Sequence, residues 1–133
     1  MSNSLGFSFD HVHIYCTDLS ATERWFVDCM GAEVSRRREV KGAAAVDLKL
    51  AGVDIFLRGP MPGESFSEAK PNHYGTNHIG FRVSDLDATV AELKRRGTEF
   101  DTEPYWISPV LKVAFVKGPD EIRIELLQRV DNK

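Results

Sequence analysis

The chain has 133 residues, of which 42% are hydrophobic and 28% are charged, and its formal net charge is −3. This length fits one domain, and the composition predicts a water-soluble protein with a packed core. The mild acidity gives no electrostatic basis for binding nucleic acid. No apolar run reaches the ~18 residues of a membrane helix, so we expect no membrane span.

Two further features predict that the protein works in the cytoplasm. The N-terminal residues MSNSLGFSF lack the basic region and the apolar stretch of a signal peptide. Cys16 and Cys29 are the only cysteines. Two cysteines are too few for a disulfide framework and suit a reducing compartment.

The first half of the chain predicts a strand, a helix and three further strands. Residues 9–17 alternate between two faces, as in a half-buried strand. A helix follows over about 20–30, where Asp18 or Ser20 can cap its start and Gly31 can end it. The three further strands are predicted at 32–40, 43–50 and 53–58.

The second half repeats this order after a connector, residues 59–75, that holds three prolines and three glycines. A strand at 77–84 precedes a helix at 86–96 that ends at Gly97. Three strands are predicted near 98–107, 110–117 and 122–128. The chain is therefore predicted to be one α+β domain over residues 1–133, with βαβββ module one at about 9–58 and βαβββ module two at about 76–128.

The two modules also repeat their sequence. Residues 10–22, DHVHIYCTDLSAT, resemble residues 77–89, NHIGFRVSDLDAT, at a spacing of 67. DIFL at 54–57 matches RIEL at 123–126. Because an internal repeat means two copies of one supersecondary unit, we expect equivalent residues to occupy equivalent places.

Alternation along the strands predicts one apolar and one polar face for the sheet of each module. The apolar face is expected to be covered by the helix, while the opposite face can be wet. The polar faces carry His11, His13, Tyr15, Asp54, Phe56, Arg58, His78, Gly80, Arg82, Arg123, Glu125 and Leu127. Bringing the modules together would place these residues around one shared cavity.

The chain resembles the vicinal oxygen chelate superfamily, which includes glyoxalases, bleomycin-resistance proteins and extradiol dioxygenases. The matching segments are residues 11–19, 78–86 and 118–126. The resemblance covers nearly the whole chain, from about residue 9 to residue 128. It implies tandem βαβββ modules that form a U-shaped mixed sheet around a metal-binding cavity, with the helices on the outer face.

By position, the resemblance implies that His11, His78 and Glu125 bind one divalent metal ion. The family's fourth ligand position falls on Phe56, which cannot bind a metal. Two imidazoles and one carboxylate suit Fe(II), Mn(II), Co(II), Ni(II) or Zn(II). Alternatively, the two histidines are ordinary polar sheet residues. Their equivalent places in the repeat, with Glu125 at a third family position, favour the metal site.

His13 is the candidate catalytic residue, since it faces the same predicted cavity and can act as a general acid or base. The alternatives are a hydrogen-bond partner of a ligand and a fourth ligand. Phe56 is predicted to wall the pocket and limit substrate size. The remaining candidates can bind substrate or form salt bridges between strands, and they are Tyr15, Arg58, Arg82 and Arg123.

The sequence thus predicts a metal-dependent lyase or isomerase of glyoxalase type, acting by proton transfer on a small molecule that chelates through vicinal oxygens. One alternative is an extradiol-type ring-cleaving dioxygenase, which uses only two histidines and a glutamate. Another is a drug-binding resistance protein without catalysis. We expect a homodimer, in which the modules pair either within one chain or between two chains.

Overall fold

The structure is a computed structural model that describes residues 5–130. It has the predicted α+β architecture, with two consecutive βαβββ modules. Module one contains β1 (His11–Tyr15), α1 (Leu19–Arg24), β2 (Glu33–Val40), β3 (Ala43–Leu50) and β4 (Val53–Arg58). Module two contains β5 (Ile79–Arg82), α2 (Leu86–Arg95), β6 (Glu99–Ser108), β7 (Leu111–Lys117) and β8 (Arg123–Arg129).

Each module forms its own four-stranded mixed sheet. The strand order is β1-β4-β3-β2 in module one and β5-β8-β7-β6 in module two. The first and last strands of each module are parallel neighbours, and the other pairs are antiparallel. This topology places the two strands that carry candidate ligands side by side in each module.

The helices begin at equivalent aspartates of the repeat. The Asp18 side chain accepts a hydrogen bond from the Ala21 amide at 3.1 Å, and Asp85 accepts one from Ala88 at the same distance. A side-chain oxygen at this position satisfies an amide that has no partner within the helix. The α-helical part of the first helix is shorter than predicted, because a π-helical segment, Trp25–Cys29, follows α1.

The predicted apolar faces form two connected core clusters. Module one is centred on Phe26, Leu48, Ile55 and Leu57, and module two on Leu86, Val116, Ile124 and Leu126. Trp25 and Met30 of module one also pack against the cluster of module two. Phe81 and Ile122 of module two pack in return against the cluster of module one. The modules are therefore joined on their helix-covered side, and their polar faces point away from this shared core.

A polar contact between the modules fixes the turn before β8. The Thr17 amide and hydroxyl donate hydrogen bonds to the Asp120 carboxylate at 2.9 and 2.5 Å. Asp120 and Glu121 both have left-handed backbone angles, with φ of 52° and 59°. Because β8 starts two residues later, this turn helps to set the position of Glu125.

Within residues 5–130, no helix is long and apolar enough to cross a bilayer.

Candidate active site

Module two brings two of the predicted metal ligands together. His78 lies just before β5 and Glu125 lies on β8, and His78 Nε2 is 3.3 Å from Glu125 Oε1. Gly80 is the register partner of Glu125 on the neighbouring strand. A Cβ atom at Gly80 would lie 3.3 Å from Glu125 Oε1. The glycine therefore leaves room for the carboxylate beside the imidazole.

A chain of hydrogen bonds fixes which nitrogen of His78 carries the proton. Arg123 Nη1 donates to Asn77 Oδ1 at 2.8 Å, and a guanidinium can only donate. The same Asn77 oxygen lies 2.7 Å from His78 Nδ1, so this nitrogen must be the protonated donor. In the neutral imidazole, Nε2 is then the nitrogen with the lone pair, and it is the atom that would bind a metal.

Arg123 was predicted either to bind substrate or to form salt bridges between strands, and its contacts in the structure are with neighbouring side chains of module two. Its Nε donates to Asp101 at 2.6 Å, and its guanidinium lies 3.7 Å from the centre of the Phe115 ring. Phe115 in turn meets the His78 ring edge-on, with a distance of 5.1 Å between ring centres. Arg123 thus contacts Asp101, Asn77 and Phe115, and the last two of these residues contact His78.

His11 in module one has the same tautomer as His78. Its Nδ1 lies 2.6 Å from a carboxylate oxygen of Asp10, which can only accept, so Nδ1 is the donor and, in the neutral imidazole, Nε2 again has the lone pair. Asp10 and Asn77 are equivalent in the repeat. The His11 ring stacks on Phe56, with centres 4.0 Å apart and planes 22° from parallel. Phe56 thus covers one face of the His11 ring.

His13 faces the same side as His11, as the strand period predicts. Its ring centre lies 6.0 Å from that of His11 and 6.2 Å from that of Phe56. Burial lowers the pKa of His13 below its usual value of 6.5, and the nearby positive charge of Arg58 lowers it further. His13 is therefore neutral at pH 7, the form that can accept a proton or bind a metal.

Tyr15 and Arg58 form one layered group with the connector. Arg58 is only 3% exposed, and its Nη1 donates to Glu64 at 3.0 Å. The guanidinium lies 4.3 Å from the centre of the Tyr15 ring, and Tyr15 stacks on Phe66 at 4.6 Å. The charge of Arg58 is thus matched by Glu64, while Tyr15 and Phe66 keep an exposed aromatic surface.

Arg82 differs from the other two predicted arginines. It is exposed, and no carboxylate in the described part of the chain pairs with it. Its place in the repeat is that of Tyr15, on the same polar face as Gly80. Among Arg58, Arg82 and Arg123, Arg82 is thus the one whose guanidinium is open to a ligand.

The structure does not bring His11 to His78 and Glu125 within one chain. Among residues 5–130, no three histidine, cysteine, aspartate or glutamate side chains lie close enough to hold a metal ion. A surface cavity of about 470 Å³ is lined in part by Asn77 and Arg123, and one of about 700 Å³ in part by Tyr15 and Phe66. His11, His78 and Glu125 line neither of these two cavities. One chain therefore offers two open half-sites: the module-one half-site (His11, His13, Tyr15 and Phe56) and the module-two half-site (His78, Gly80 and Glu125).

Comparison with known proteins assigns the family. The sequence pattern of the Glyoxalase/Bleomycin resistance protein/Dioxygenase superfamily matches residues 10–115. The chain belongs to this superfamily. Members of the superfamily include glyoxalase I lyases and dioxygenases, so membership is compatible with several reactions.

Three similar proteins illustrate the likeness in sequence and in structure. The uncharacterized protein YwkD of Bacillus subtilis is 29% identical over 92% of this chain and 97% of its own. A probable chloroplastic lactoylglutathione lyase of Arabidopsis thaliana is 26% identical over 90% of this chain and 35% of its own. A superfamily domain from Frankia has a TM-score of 0.78 at 20% identity, covering 96% of this chain and 95% of its own.

Several residues that support the half-sites were not predicted from the sequence. Asp10 and Asn77 precede the two histidines at equivalent places, so the repeat itself held the signal. Asp47 is 4% exposed and bound by Arg36 and Arg38 at 3.4 and 3.1 Å. It is the single acidic residue in the segment AAAVDLKL, and nothing in that segment indicated that it would pair with two arginines. The superfamily pattern draws attention to ligand positions and not to such supporting residues.

Proposed function

We propose that this superfamily member is a divalent-metal-dependent enzyme of glyoxalase type, a lyase or isomerase that moves a proton on a small molecule with two adjacent oxygens. The observation that carries the proposal is the pairing of His78 Nε2 with Glu125 Oε1 at 3.3 Å, while Asn77 holds Nδ1. His11 is held in the same tautomer by Asp10. Metal-binding histidines typically donate their other N–H to an oxygen in this way.

The donor set fits a divalent transition metal. Two neutral imidazoles and one carboxylate leave coordination positions open and suit iron, manganese, cobalt, nickel or zinc. When bound, the ion would supply a Lewis acid that polarises a substrate oxygen. The chain's own part is to hold His11 through Asp10 and His78 through Asn77, and to leave room for Glu125 beside Gly80.

We further propose that the complete site belongs to two copies of the chain. His11 of one copy would join His78 and Glu125 of the other, and a two-fold dimer would form two such sites. Two features support this arrangement. The modules of one chain are joined on their helix-covered side. The half-sites lie on the opposite, polar faces, which remain open. The side chains of His11 and His78 are 34% and 33% exposed in one chain.

The other residues of the half-sites would bind and orient the substrate. Neutral His13 is the proposed proton acceptor, because it shares the face of His11. Arg82 would bind an anionic group of the substrate through its free guanidinium. Tyr15 and Phe56 would form apolar walls. Arg58 would act through Tyr15, and Arg123 through Asn77, as positioning residues.

The proposed partners are a small-molecule substrate and a second copy of the chain, with neither nucleic acid nor a membrane. The proposed setting is the cytoplasm, where Cys16 and Cys29 would stay reduced as the free thiols of the structure. The relative named as a probable lactoylglutathione lyase makes S-lactoylglutathione the first compound to test.

Phe56 supports a second candidate function, an extradiol-type ring-cleaving dioxygenase. With phenylalanine at this position, the family's ligand positions hold two histidines and one glutamate. That set is typical of non-haem iron sites that use oxygen. Iron content together with oxygen consumption on a catechol would favour this candidate over proton transfer.

Elemental analysis tests the proposal. Protein purified without a His tag or chelator should hold about one metal ion per chain, and His78→Ala should lose it. Under anaerobic conditions in D₂O, the loaded protein should exchange the proton beside the carbonyl of S-lactoylglutathione or a small 2-hydroxy ketone. Absence of metal, together with no uptake when each candidate ion is added, would contradict the proposal and indicate a drug-binding resistance protein.

A further inference from the structure

In each module, three residues on neighbouring strands are paired in register and form a row across the polar face, and the two rows occupy equivalent positions. In module two, Gly80 on β5 pairs with Glu125 on β8, which pairs with Phe115 on β7. Gly80 leaves room beside Glu125, Glu125 is the proposed metal ligand and Phe115 packs against His78. The middle strand therefore supplies the ligand of this row.

The corresponding row of module one has the same backbone pairing with different chemistry. His13 on β1 pairs with Phe56 on β4, which pairs with Asp47 on β3. In module two the last strand carries the carboxylate and the strand beside it the phenyl ring, whereas in module one the last strand carries the phenyl ring and the strand beside it the carboxylate. Asp47 is 4% exposed and held by Arg36 and Arg38, so it is not available to a metal. His13 is the remaining donor in the row.

We propose that His13 is a fourth metal ligand, which takes the place of the carboxylate that Phe56 replaces. This inference rests on the proposed metal site of His11, His78 and Glu125. It predicts a resting site of three imidazoles and one carboxylate. While His13 held the ion, its bound nitrogen could not also accept a proton, so the two proposed roles of His13 would belong to different states of the site.

The geometry of β1 supports this assignment. His11 and His13 are two residues apart on one strand, so both side chains leave the same face. Their ring centres are 6.0 Å apart, within the reach of two imidazoles around one ion whose Zn–N distances are about 2.0–2.1 Å.

The hydrogen bonds of the histidines also support it. His11, His73 and His78 each have at least one ring nitrogen bonded to an oxygen. In the described part of the chain, His13 has ring contacts only, with His11, Tyr15 and Phe56. Both of its nitrogens are thus unused, although the ring lies on the face of a candidate ligand.

Counting imidazoles tests the inference without any activity assay. Pulsed EPR of the protein loaded with Cu(II) should report three imidazoles in the wild type and two in His13→Ala and His13→Gln. Cobalt(II) binding should weaken by more than about 100-fold in both variants, because loss of even an outer hydrogen-bond partner costs about 10- to 100-fold. The glutamine variant keeps a polar side chain of similar volume, in case the alanine variant does not fold.

Two controls separate this inference from the proposed function. His73→Gln removes an imidazole that bonds the Lys70 and Thr76 carbonyls in the connector, and it should leave three imidazoles. His78→Gln should abolish tight binding. Two imidazoles in the wild type and in both His13 variants would overturn the inference and leave the three-ligand site standing. Unchanged binding in His78→Gln would overturn the proposed function itself.

Discussion

The polar face of module one is filled by rings, whereas that of module two is open around a glycine. On β1, His11 stacks on Phe56, and Tyr15 stacks on Phe66 from the connector. On β5, Gly80 has no side chain, and Glu125 occupies the space next to it. The same backbone arrangement thus carries aromatic rings beside the proposed ligands His11 and His13 in module one, and the proposed ligands His78 and Glu125 side by side in module two.

The acids of the two faces show how this difference is maintained. Asp47 is buried and matched by two arginines, so its charge supports the sheet of module one. Glu125 has no arginine partner in the described residues, and its carboxylate lies 3.3 Å from His78 Nε2. A carboxylate that is already neutralised by arginines supports structure, whereas one that faces an imidazole lone pair is suited to a cation.

Removing the buried acid of module one should have the largest effect on stability. Asp47→Ala leaves Arg36 and Arg38 without their carboxylate, and it should lower the free energy of unfolding by about 2 kcal/mol. This is less than the full cost of breaking a buried pair, because Arg36 is 66% exposed and can turn to water. Chemical denaturation monitored by circular dichroism gives the measurement.

Asp54→Ala is the matched control for Asp47→Ala. Asp54 lies on the neighbouring strand and pairs with Lys49, but both side chains are substantially exposed. An exposed pair contributes less than about 1 kcal/mol, so the control should be nearly neutral. Equal losses in the two variants would show that Asp47 has no special role in module one.

The contact between the modules should be the next most sensitive place. A Cβ at Gly118 would lie 2.9 Å from ring carbons of Trp25, so Gly118→Ala forces the tryptophan or the strand to shift. Overpacking of this kind costs about 1–3 kcal/mol. Gly59→Ala is the control, since its Cβ would meet nothing within 4 Å. If Gly118→Ala unfolds at the same denaturant concentration as Gly59→Ala, the modules do not pack as described.

Adding a side chain at Gly80 should weaken metal binding in module two with little effect on the fold. Gly80→Ala would bring a Cβ to 3.3 Å from Glu125 Oε1 and displace the carboxylate by a few tenths of an ångström. We expect about 10-fold weaker binding of Co(II), the loss typical of a disturbed ligand support. Isothermal titration calorimetry measures this, and wild-type affinity in Gly80→Ala would show that Glu125 is not a ligand.

The smallest predicted effect is a gain in stability at the turn before β8. Glu121 has a φ of 59°, a conformation that costs a non-glycine residue about 1–2 kcal/mol. Glu121→Gly should therefore raise the unfolding free energy by about 0.5–1 kcal/mol after the entropy cost of glycine. Asp120→Gly at the neighbouring left-handed position should instead destabilise, because it removes both bonds from Thr17.

Much of the fold followed from local patterns. Alternation on β1 predicted that His11, His13 and Tyr15 share one face, and the ring contacts confirm it. Asp18 was one of the two predicted caps of the first helix, and it accepts the capping hydrogen bond from Ala21. The second helix was predicted to start at residue 86, where α2 begins. These features depend on residues near each other in sequence, where strand period and capping chemistry apply directly.

The placement of the two modules could not be read in the same way. It depends on Trp25 and Met30 packing against the core of module two, a contact between distant segments that no periodicity encodes. The partner of Arg58 was equally hidden. Strand parity predicted its face, but Glu64 reaches it from a connector without regular structure. The sequence therefore predicted which face of a sheet a side chain lies on better than it predicted whether that side chain has a partner.

A mixed-dimer experiment tests the central claim, that His11 of one copy joins His78 and Glu125 of another. His11→Ala and His78→Ala should each purify without tightly bound metal. If the two variants are unfolded together and refolded, about half of the dimers will be mixed, and each mixed dimer has one intact site of two. The account predicts metal uptake of about one quarter of the wild-type level. No uptake by the refolded mixture, from variants that each still dimerise, would contradict it and place the whole site within one chain.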